Sequence, residues 1–562
     1  MAFTQIEDIR LTPFSQQKFS GGINTSTPAP TIEDDEVVDQ LNLMLDQGDN
    51  LVTRSGVSGA GGASLWGSAI WGTSLWSNTT YTQRITSMLN FQNESGFVGV
   101  LYTTGTKLIS RALNGNITDI TGSLTLPDDV FWQWQIMNGI AVGVNKATSG
   151  SNPVKVVGPA PGTASALGGS PPRAKYVTLW NSRLWIVRAD QPNQIQCSDL
   201  GNPESWNTDG GAITSHGAIF DRDTDDGDVI TGIHATRKRL FVFKRRSIHV
   251  AIMVSEPVTN LNFIHWDLYS DQIGCVAPYT IKTVANDVLF LSETGVASLS
   301  AVETVADFEE SLLSRKVRDI SLISKNVEEI SAGVFDDVTQ YWLSIPQVAS
   351  PVGRNITYVM DYRRIFENKI RWTTFDGGAW GTCFEKVRNG NNIEYLIGGQ
   401  DGTDFYVGTY KPLAVDKIYS DGSKAYRKYF RTKAYDFSMP NIRKEYFEWT
   451  IIFLIRTVSC SIAVNYYFDD EQSEANGNYS FNYSINVTGT LWDQAQWDDG
   501  VYDLTSKPIR KVARKGFLFN DDGRKATSVA FDVLNAQLDQ AFEVLNLSVY
   551  YLPLTSDLTG ID

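Results

Sequence analysis

An apolar run, a short polar turn and a second apolar run recur along most of this chain, and this repeat restricts the fold more than any other feature. It appears at 134–144, 176–187, 230–243 and 279–291. The units are spaced by roughly 43 to 53 residues, the period of a β-propeller blade of about four strands. Units begin near residues 84, 131, 175, 229, 276, 329 and 379, which gives about seven. With 12% aromatic residues and 46 glycines, the composition suits strands joined by tight turns.

The expected fold is therefore all-β, a propeller of about seven blade-like units plus a C-terminal β-sandwich-like domain. Residues 1–83 are expected to form an extended arm with a Trp-rich loop, 84–415 the propeller and 416–562 the C-terminal β-domain. Within the arm, Val37, Val38, Leu41, Met44 and Leu45 fit a 3.6-residue period behind an acidic first turn. This predicts a short helix over 31–47, with extended chain laid against a blade as the alternative. The segment 312–325 reads as helical and as a crossover between blades.

The four cysteines, Cys197, Cys275, Cys383 and Cys460, lie far apart without a CxxC pair, so reduced buried thiols are expected. The segment Met1-Ala2-Phe3-Thr4-Gln5 lacks a basic region followed by an apolar one, so no signal peptide is expected and synthesis is placed in a cytoplasm. No apolar stretch reaches the ~18 residues of a membrane-spanning helix. The net charge of −15 repels DNA at long range and leaves tight binding to local basic patches.

Three such patches interrupt the acidic background. Arg237, Lys238 and Arg239 precede the apolar run 240–243, and Lys244, Arg245 and Arg246 follow it. A strand of that length spans roughly 13 Å, which puts the clusters at opposite ends of one blade. Lys507, Arg510, Lys511, Arg514 and Lys515 form the third. Arg510 and Arg514 share one strand face and Lys511 and Lys515 the other, as in an edge strand. All are candidates for contact with DNA phosphate or an acidic partner, against solvated turns and a charged edge as the plainer reading. Trp66, Trp71 and Trp76 are the second residues of three near-copies of one pentad, and Trp492 and Trp497 repeat the spacing. That spacing keeps to no single strand or helix face, so these are loops, and Trp66, Trp71 and Trp76 are candidate interface anchors.

No nucleophile elbow, Ser-His-Asp order or phosphate-cradling glycine loop is present, and the four histidines lack metal-ligand spacing. Asp221, Asp223, Asp225, Asp226 and Asp228 place oxygens as calcium ligands require. Yet Gly227 comes one place late for an EF-type loop and no glutamate closes it, so a solvated turn is expected. The run Ser198-Asp199-Leu200-Gly201 with Trp206 resembles the Asp-box turn of sialidase-type propellers, a hairpin marker without chemistry. No cofactor, no metal and no enzymatic activity are expected.

The order of several short motifs resembles tail hub or nozzle proteins of short-tailed bacteriophages, including those called packaged-DNA stabilisation proteins. The resemblance starts with Phe19-Ser20-Gly21-Gly22-Ile23-Asn24 and, about thirty residues on, Arg54-Ser55-Gly56. It continues through Arg183-Leu184-Trp185-Ile186, Cys197-Ser198-Asp199, Asp226-Gly227-Asp228 and Ile273-Gly274-Cys275 to Phe290-Leu291-Ser292. The resemblance implies a propeller protomer in a homohexameric ring below portal and head-to-tail adaptor, with tail fibres or spikes as further partners. It implies double-stranded DNA passing through the ring at ejection, a virion tail location and no catalysis. A receptor- or glycan-binding propeller of a tail and a polysaccharide hydrolase remain as alternatives.

Overall fold

The computed structural model describes residues 11–554 except 60–80, 93–97, 113–115, 158–161, 209–215, 223–226, 256–261, 305–311, 324–326, 365–368, 390–391, 414–416, 423, 470–474, 485–508 and 518–524. Strand chemistry dominates. In Lys444–Ile455, buried and half-buried positions alternate almost strictly, as a strand with one face on a core requires.

Among the described residues, seven sheets are propeller blades. Their first strands are Ile85–Gln92, Gln133–Met137, Ala174–Trp180, Ile230–Ala235, Lys282–Val284, Ser331–Phe335 and Phe384–Asn389, close to the unit starts the repeat predicts. Each blade is an antiparallel meander, and each seam between neighbours has its own apolar cluster. Phe335 and Trp342 stack at 4.1 Å in the seam between blades 6 and 7. Ile85, Met88 and Tyr102 of blade 1 meet Val387 and Leu396 of blade 7, which closes the ring. Blade 7 borrows its outer strand from upstream: Val57–Ser58 pairs with Thr409 and Tyr410, clasping the last blade with an early piece of chain. Blade 5 has three named strands, with Leu312 bridging to Ala297 beside them.

The remaining two sheets form a sandwich around a shared core that includes Trp449, Val464, Phe531 and Leu547. Its strands come from both ends of the sequence. Thr12–Gln16 pairs with Phe542–Pro553, and Glu36–Leu41 with Lys428–Thr432. The segment expected as an extended arm thus supplies Thr12–Gln16, Gly22–Ile23, Glu36–Leu41, Leu43–Leu45 and Leu51–Thr53 to the sandwich. The helix expected over 31–47 is not formed. Asn42, at φ 57°, breaks the run into two strands, and pairing with 428–432 overrides the local period. Likewise 312–325 is not a crossover helix. Leu313 N–H donates to Val296 O at 2.8 Å, Lys316 O accepts from Thr25 N–H at 2.9 Å, and among the described residues of this segment only Arg318–Leu322 forms a 3-10 turn. These backbone groups are used by tertiary partners, which leaves no helical ladder.

Sandwich and propeller share a joint at the rim of blades 5 to 7, and the motif residues 19–24 and 54–56 build it. Phe19 is buried against Phe430. Gly22 sits at φ +76°, and a Cβ there would lie 2.8 Å from the Trp372 carbonyl of blade 6. A Cβ on Gly56 would overlap the Ser420 carbonyl. Between them lies Arg54, with no exposed surface. Its Nη2 and Nη1 donate to the two Asp421 oxygens at 2.6 and 3.0 Å. Nε donates to Asn42 at 2.8 Å, and further bonds reach the carbonyls of Ser55 and Asp376. The Tyr426 ring lies 3.9 Å from the guanidinium. Burial disfavours the Arg54 charge, but Asp421 outweighs it and the pKa rises.

Candidate interaction surfaces and the propeller axis

The two blade 4 clusters do lie at opposite ends of one strand, Arg239–Lys244. Arg237, Lys238 and Arg239 are all exposed in the turn that enters it, held by Thr236 N–H donating to Arg239 O at 2.8 Å. At the other end, Arg245 and Arg246 are exposed, and their backbone N–H groups donate to Asp228 Oδ2 at 2.9 and 3.2 Å. Arg246 also pairs with Glu293 at 3.5 Å. Lys244 differs: it is fully buried and does not belong to the surface cluster. Both of its backbone groups are engaged, with Ser247 and Cys275, as a position inside the sheet demands.

Among the described residues, Ile509–Gly516 is an edge strand of the sandwich, as its charges predict. Arg510, Arg514 and Lys515 are exposed and Lys511 is half-buried, while Ala513 faces the core. Arg514 bonds Glu448, and the Lys515 ammonium lies 5.7 Å from the Tyr479 ring centroid. Cations along such an edge oppose pairing with another sheet. Lys507 lies outside the described residues, as do Trp66, Trp71, Trp76, Trp492 and Trp497. Of the acidic turn, Asp223, Asp225 and Asp226 lie outside them too, while Asp228 caps the 245–246 turn and Asp221 accepts from Gln194 at 2.9 Å.

The Asp199 turn is structural. Its carboxylate takes the Gly217 N–H at 2.9 Å, Ser205 Oγ at 2.7 Å and Asn207 Nδ2 at 3.0 Å, holding residues 205, 207 and 217 together.

Sequence reasoning missed the axis of the propeller, where residues from the starts of several inner strands converge. Arg84 precedes blade 1 and grips Asp129 before blade 2 with two bonds, at 2.6 and 2.8 Å. It reaches Glu329 before blade 6 at 3.0 Å. Burial works against the Arg84 charge, but these carboxylates raise its pKa. Tyr279 before blade 5 donates its hydroxyl to Phe131 O before blade 2 at 3.0 Å, directly across the ring. Lys146 lies 5.0 and 5.4 Å from the Tyr279 and Tyr176 rings. Burial pushes its ammonium down, opposed by Glu328. The Arg84–Glu329 and Tyr279–Phe131 contacts bridge non-adjacent blades across one mouth of the ring. Arg84, Asp129 and Glu329 themselves line an open cleft of about 750 Å³, whose other walls mix polar Gln83 and Gln347 with apolar Trp380 and Phe405.

The inner strands themselves carry a second set of groups. His234 Nε2 and Thr283 Oγ1 lie 2.8 Å apart. Burial, reinforced by Lys282, pushes His234 down to about 4, so its imidazole is neutral near pH 7. Burial lowers Lys282, opposed by Glu385. Burial raises Glu385 to about 7, opposed by the Asn90 N–H and Lys282. The Cys383 thiol is pushed up to about 12 by burial, which removes it as a thiolate nucleophile. Cys197, Cys275, Cys383 and Cys460 are all free. Among the described residues, no group of His, Cys, Asp and Glu could hold a metal ion, and no helix is long and apolar enough to cross a membrane.

No protein-family description matches this chain, and no curated protein sequence matches it. Among solved structures, the chain is similar to a streptogramin B lyase at 12% identity and TM-score 0.32, over 58% of this chain and 93% of that one. It is similar to the β-propeller domain of Cps50 (Swd1) from Myceliophteria thermophila at 8% identity and TM-score 0.34, over 59% and 98%. It is also similar to PorZ, a surface component of the type-IX secretion system of Porphyromonas gingivalis, at 10% identity and TM-score 0.29. That match covers 56% of this chain but only 36% of PorZ. At these identities and scores, the likenesses carry no statement about activity, ligand or partner.

Proposed function

We propose that this chain is a structural protomer of a short-tailed bacteriophage tail, a hub or nozzle subunit that stands with further copies around a common axis below portal and adaptor. Packaged double-stranded DNA is retained above this ring and leaves through it. The observation that carries the reading is the joint. The motif residues that resemble the tail family, Gly22, Arg54 and Gly56, are the ones that fix sandwich to propeller at the rim. A ring subunit needs such a joint, because a fixed angle between two lobes is what lets identical heterologous contacts close.

The contacts across the propeller axis support a passage between copies and not within one propeller. A chain of net charge −15 would line such a passage with repulsive surface and let DNA slide. The exposed Arg237-Lys238-Arg239 turn and the Arg510–Lys515 edge then serve as docking points for acidic partners, and Trp66, Trp71 and Trp76 as interface anchors. The role is architectural and involves no turnover. Electron microscopy of the purified full chain, alone and mixed with portal–adaptor complexes, tests this. Rings, or density added below the adaptor, are expected. A monomer that joins no tail complex would overturn the proposal.

A further inference from the structure

A pocket of about 270 Å³ opens at the joint between the lobes. Its walls are the turn at Gly377, Asp401 and Tyr406 of blade 7, and the chain entering the sandwich at Asp421 and Lys424. That volume is far above the ~10–15 Å³ one water needs and close to the lower end of small-molecule sites, about 300 Å³. Tyr406 is the group the fold leaves unfinished. It is 3% exposed, yet its hydroxyl has no hydrogen-bond partner among the described residues. Nor is that oxygen sealed in the interior with the orphaned buried atoms; the surface it keeps belongs to the pocket. The ring lies on Gly399, the residue opposite on the neighbouring strand, where a Cβ would come within 2.5 Å of the hydroxyl oxygen. Backbone therefore holds the hydroxyl in place. Burial, with Asp421 and Asp401, raises its pKa, so it stays protonated and both donates and accepts. Buried polar groups are ordinarily paired, and each exception calls for an explanation.

The charges around this hydroxyl neutralise one another. Asp421 holds Arg54 at 2.6 and 3.0 Å, and both Asp401 oxygens accept from Lys424 Nζ at 2.6 Å. Asp376 accepts from Asn42 Nδ2 at 2.6 Å and faces Arg354 at 3.6 Å. A charged guest would have to break one of these pairs. A neutral guest with several hydroxyls accepts from Tyr406 and from the remaining N–H groups of Lys424. It donates to Gln400 Oε1 on the pocket wall, whose own Nε2 is bound to Gly402 O at 2.9 Å. We propose that this pocket binds a small neutral polyhydroxylated molecule, a monosaccharide or a sugar alcohol, hydrogen-bonded to the Tyr406 hydroxyl with Lys424 and Gln400 as further partners. The pocket is walled by blade 7 and by the chain entering the sandwich, so a bound sugar also stabilises the joint. The assignment does not depend on whether copies of the chain form a ring.

The test is calorimetric titration of the full chain with D-glucose, D-galactose, D-xylose and sorbitol. Cyclohexanol, a ring with one hydroxyl, and D-glucuronate, a charged sugar, are the controls. At least one neutral probe is expected to bind saturably with a Kd below about 10 mM, and at least about tenfold more tightly than either control. Tyr406→Phe is expected to weaken it about tenfold, the loss of the hydroxyl's hydrogen bonding. Without sugar, that variant should melt within about 2 °C of wild type, because no protein group loses a partner. Ala425→Leu adds bulk to an exposed residue of the pocket wall and should also weaken binding at least about tenfold. A pocket that holds water alone, with no probe bound below about 10 mM, overturns the assignment. Controls that bind as tightly as the neutral probes, or binding unchanged in either variant, overturn it as well. So does a larger fall in the melting temperature of Tyr406→Phe, since the hydroxyl would then already have a partner in the fold.

Discussion

Asp421→Asn removes the counter-charge of a guanidinium that has no route to water. Arg54 uses its N–H groups on Asp421, Asn42 and the carbonyls of Ser55 and Asp376, and it is fully buried. Asp421 in turn accepts the backbone N–H groups of Val57 at 3.0 Å and Gly378 at 2.8 Å, so it ties the clasp strand and the Gly377–Ala379 turn between blades 6 and 7 to the same charge. Breaking one side of a buried, hydrogen-bonded pair costs about 3–5 kcal/mol, chiefly from the charge left behind. Arg54→Met should cost a similar amount, because it strands the carboxylate. The double variant Arg54→Met with Asp421→Asn leaves no unpaired charge and should recover part of that loss. Arg54→Lys should not substitute, since an ammonium cannot reach Asn42, Asp421 and two carbonyls in one plane. Differential scanning calorimetry of the full chain checks this. The single variants should separate sandwich and propeller melting, and limited proteolysis should cut near 54–57 and 417–427. A loss under about 1 kcal/mol in Asp421→Asn, or a double variant no better than the worse single one, would refute the reasoning.

Three further outcomes are expected. Glu385 titrates at about 7 in the folded chain against an ordinary 4.5, so the folded state holds the extra proton and loses stability as pH rises through that window. Glu385→Gln should match wild type near pH 4 and exceed it by up to about 3 kcal/mol at pH 8, read by urea unfolding at each pH. A pH-independent difference would contradict this; the comparison also cancels the opposite slope of His234, whose neutral form gains stability from about 4 upward. Val57 is fully buried in the seam between blades 6 and 7, so Val57→Asp should cost about 3 kcal/mol or more and lower the melting temperature of the propeller. Replacing Arg237, Lys238 and Arg239 together by Ala should change stability by no more than about 0.5 kcal/mol per site, since the turn is exposed. The same variant should weaken capture by portal–adaptor complexes in pull-downs at low salt.

How much was legible beforehand depended on how local each signal is. The blades could be counted from the chain because each is a meander of consecutive strands with tight turns. The first strands at 133–137, 174–180 and 230–235 fall where the repeat places them. The edge character of 509–516 was also readable from its charges, although Ala513, on the same face as Lys511 and Lys515, packs into the core. Lys244 was misplaced because its neighbours in sequence, Arg245 and Arg246, belong to a turn, whereas it is the last residue of a strand inside the sheet.

The sequence alone thus determined the architecture that nearest neighbours write: strand period, turn chemistry, blade number and the two-lobed plan. Only the tertiary structure decided what depends on residues far apart in the chain. Thr12 pairs with Tyr551, Val57 clasps blade 7, Arg54 meets Asp421, and Arg84, Asp129 and Glu329 converge across the axis. Hydrophobic alternation reports that a face is buried but not which distant strand covers it. That choice is set by ring closure and long-range pairing, whose energies appear only when the whole chain is folded.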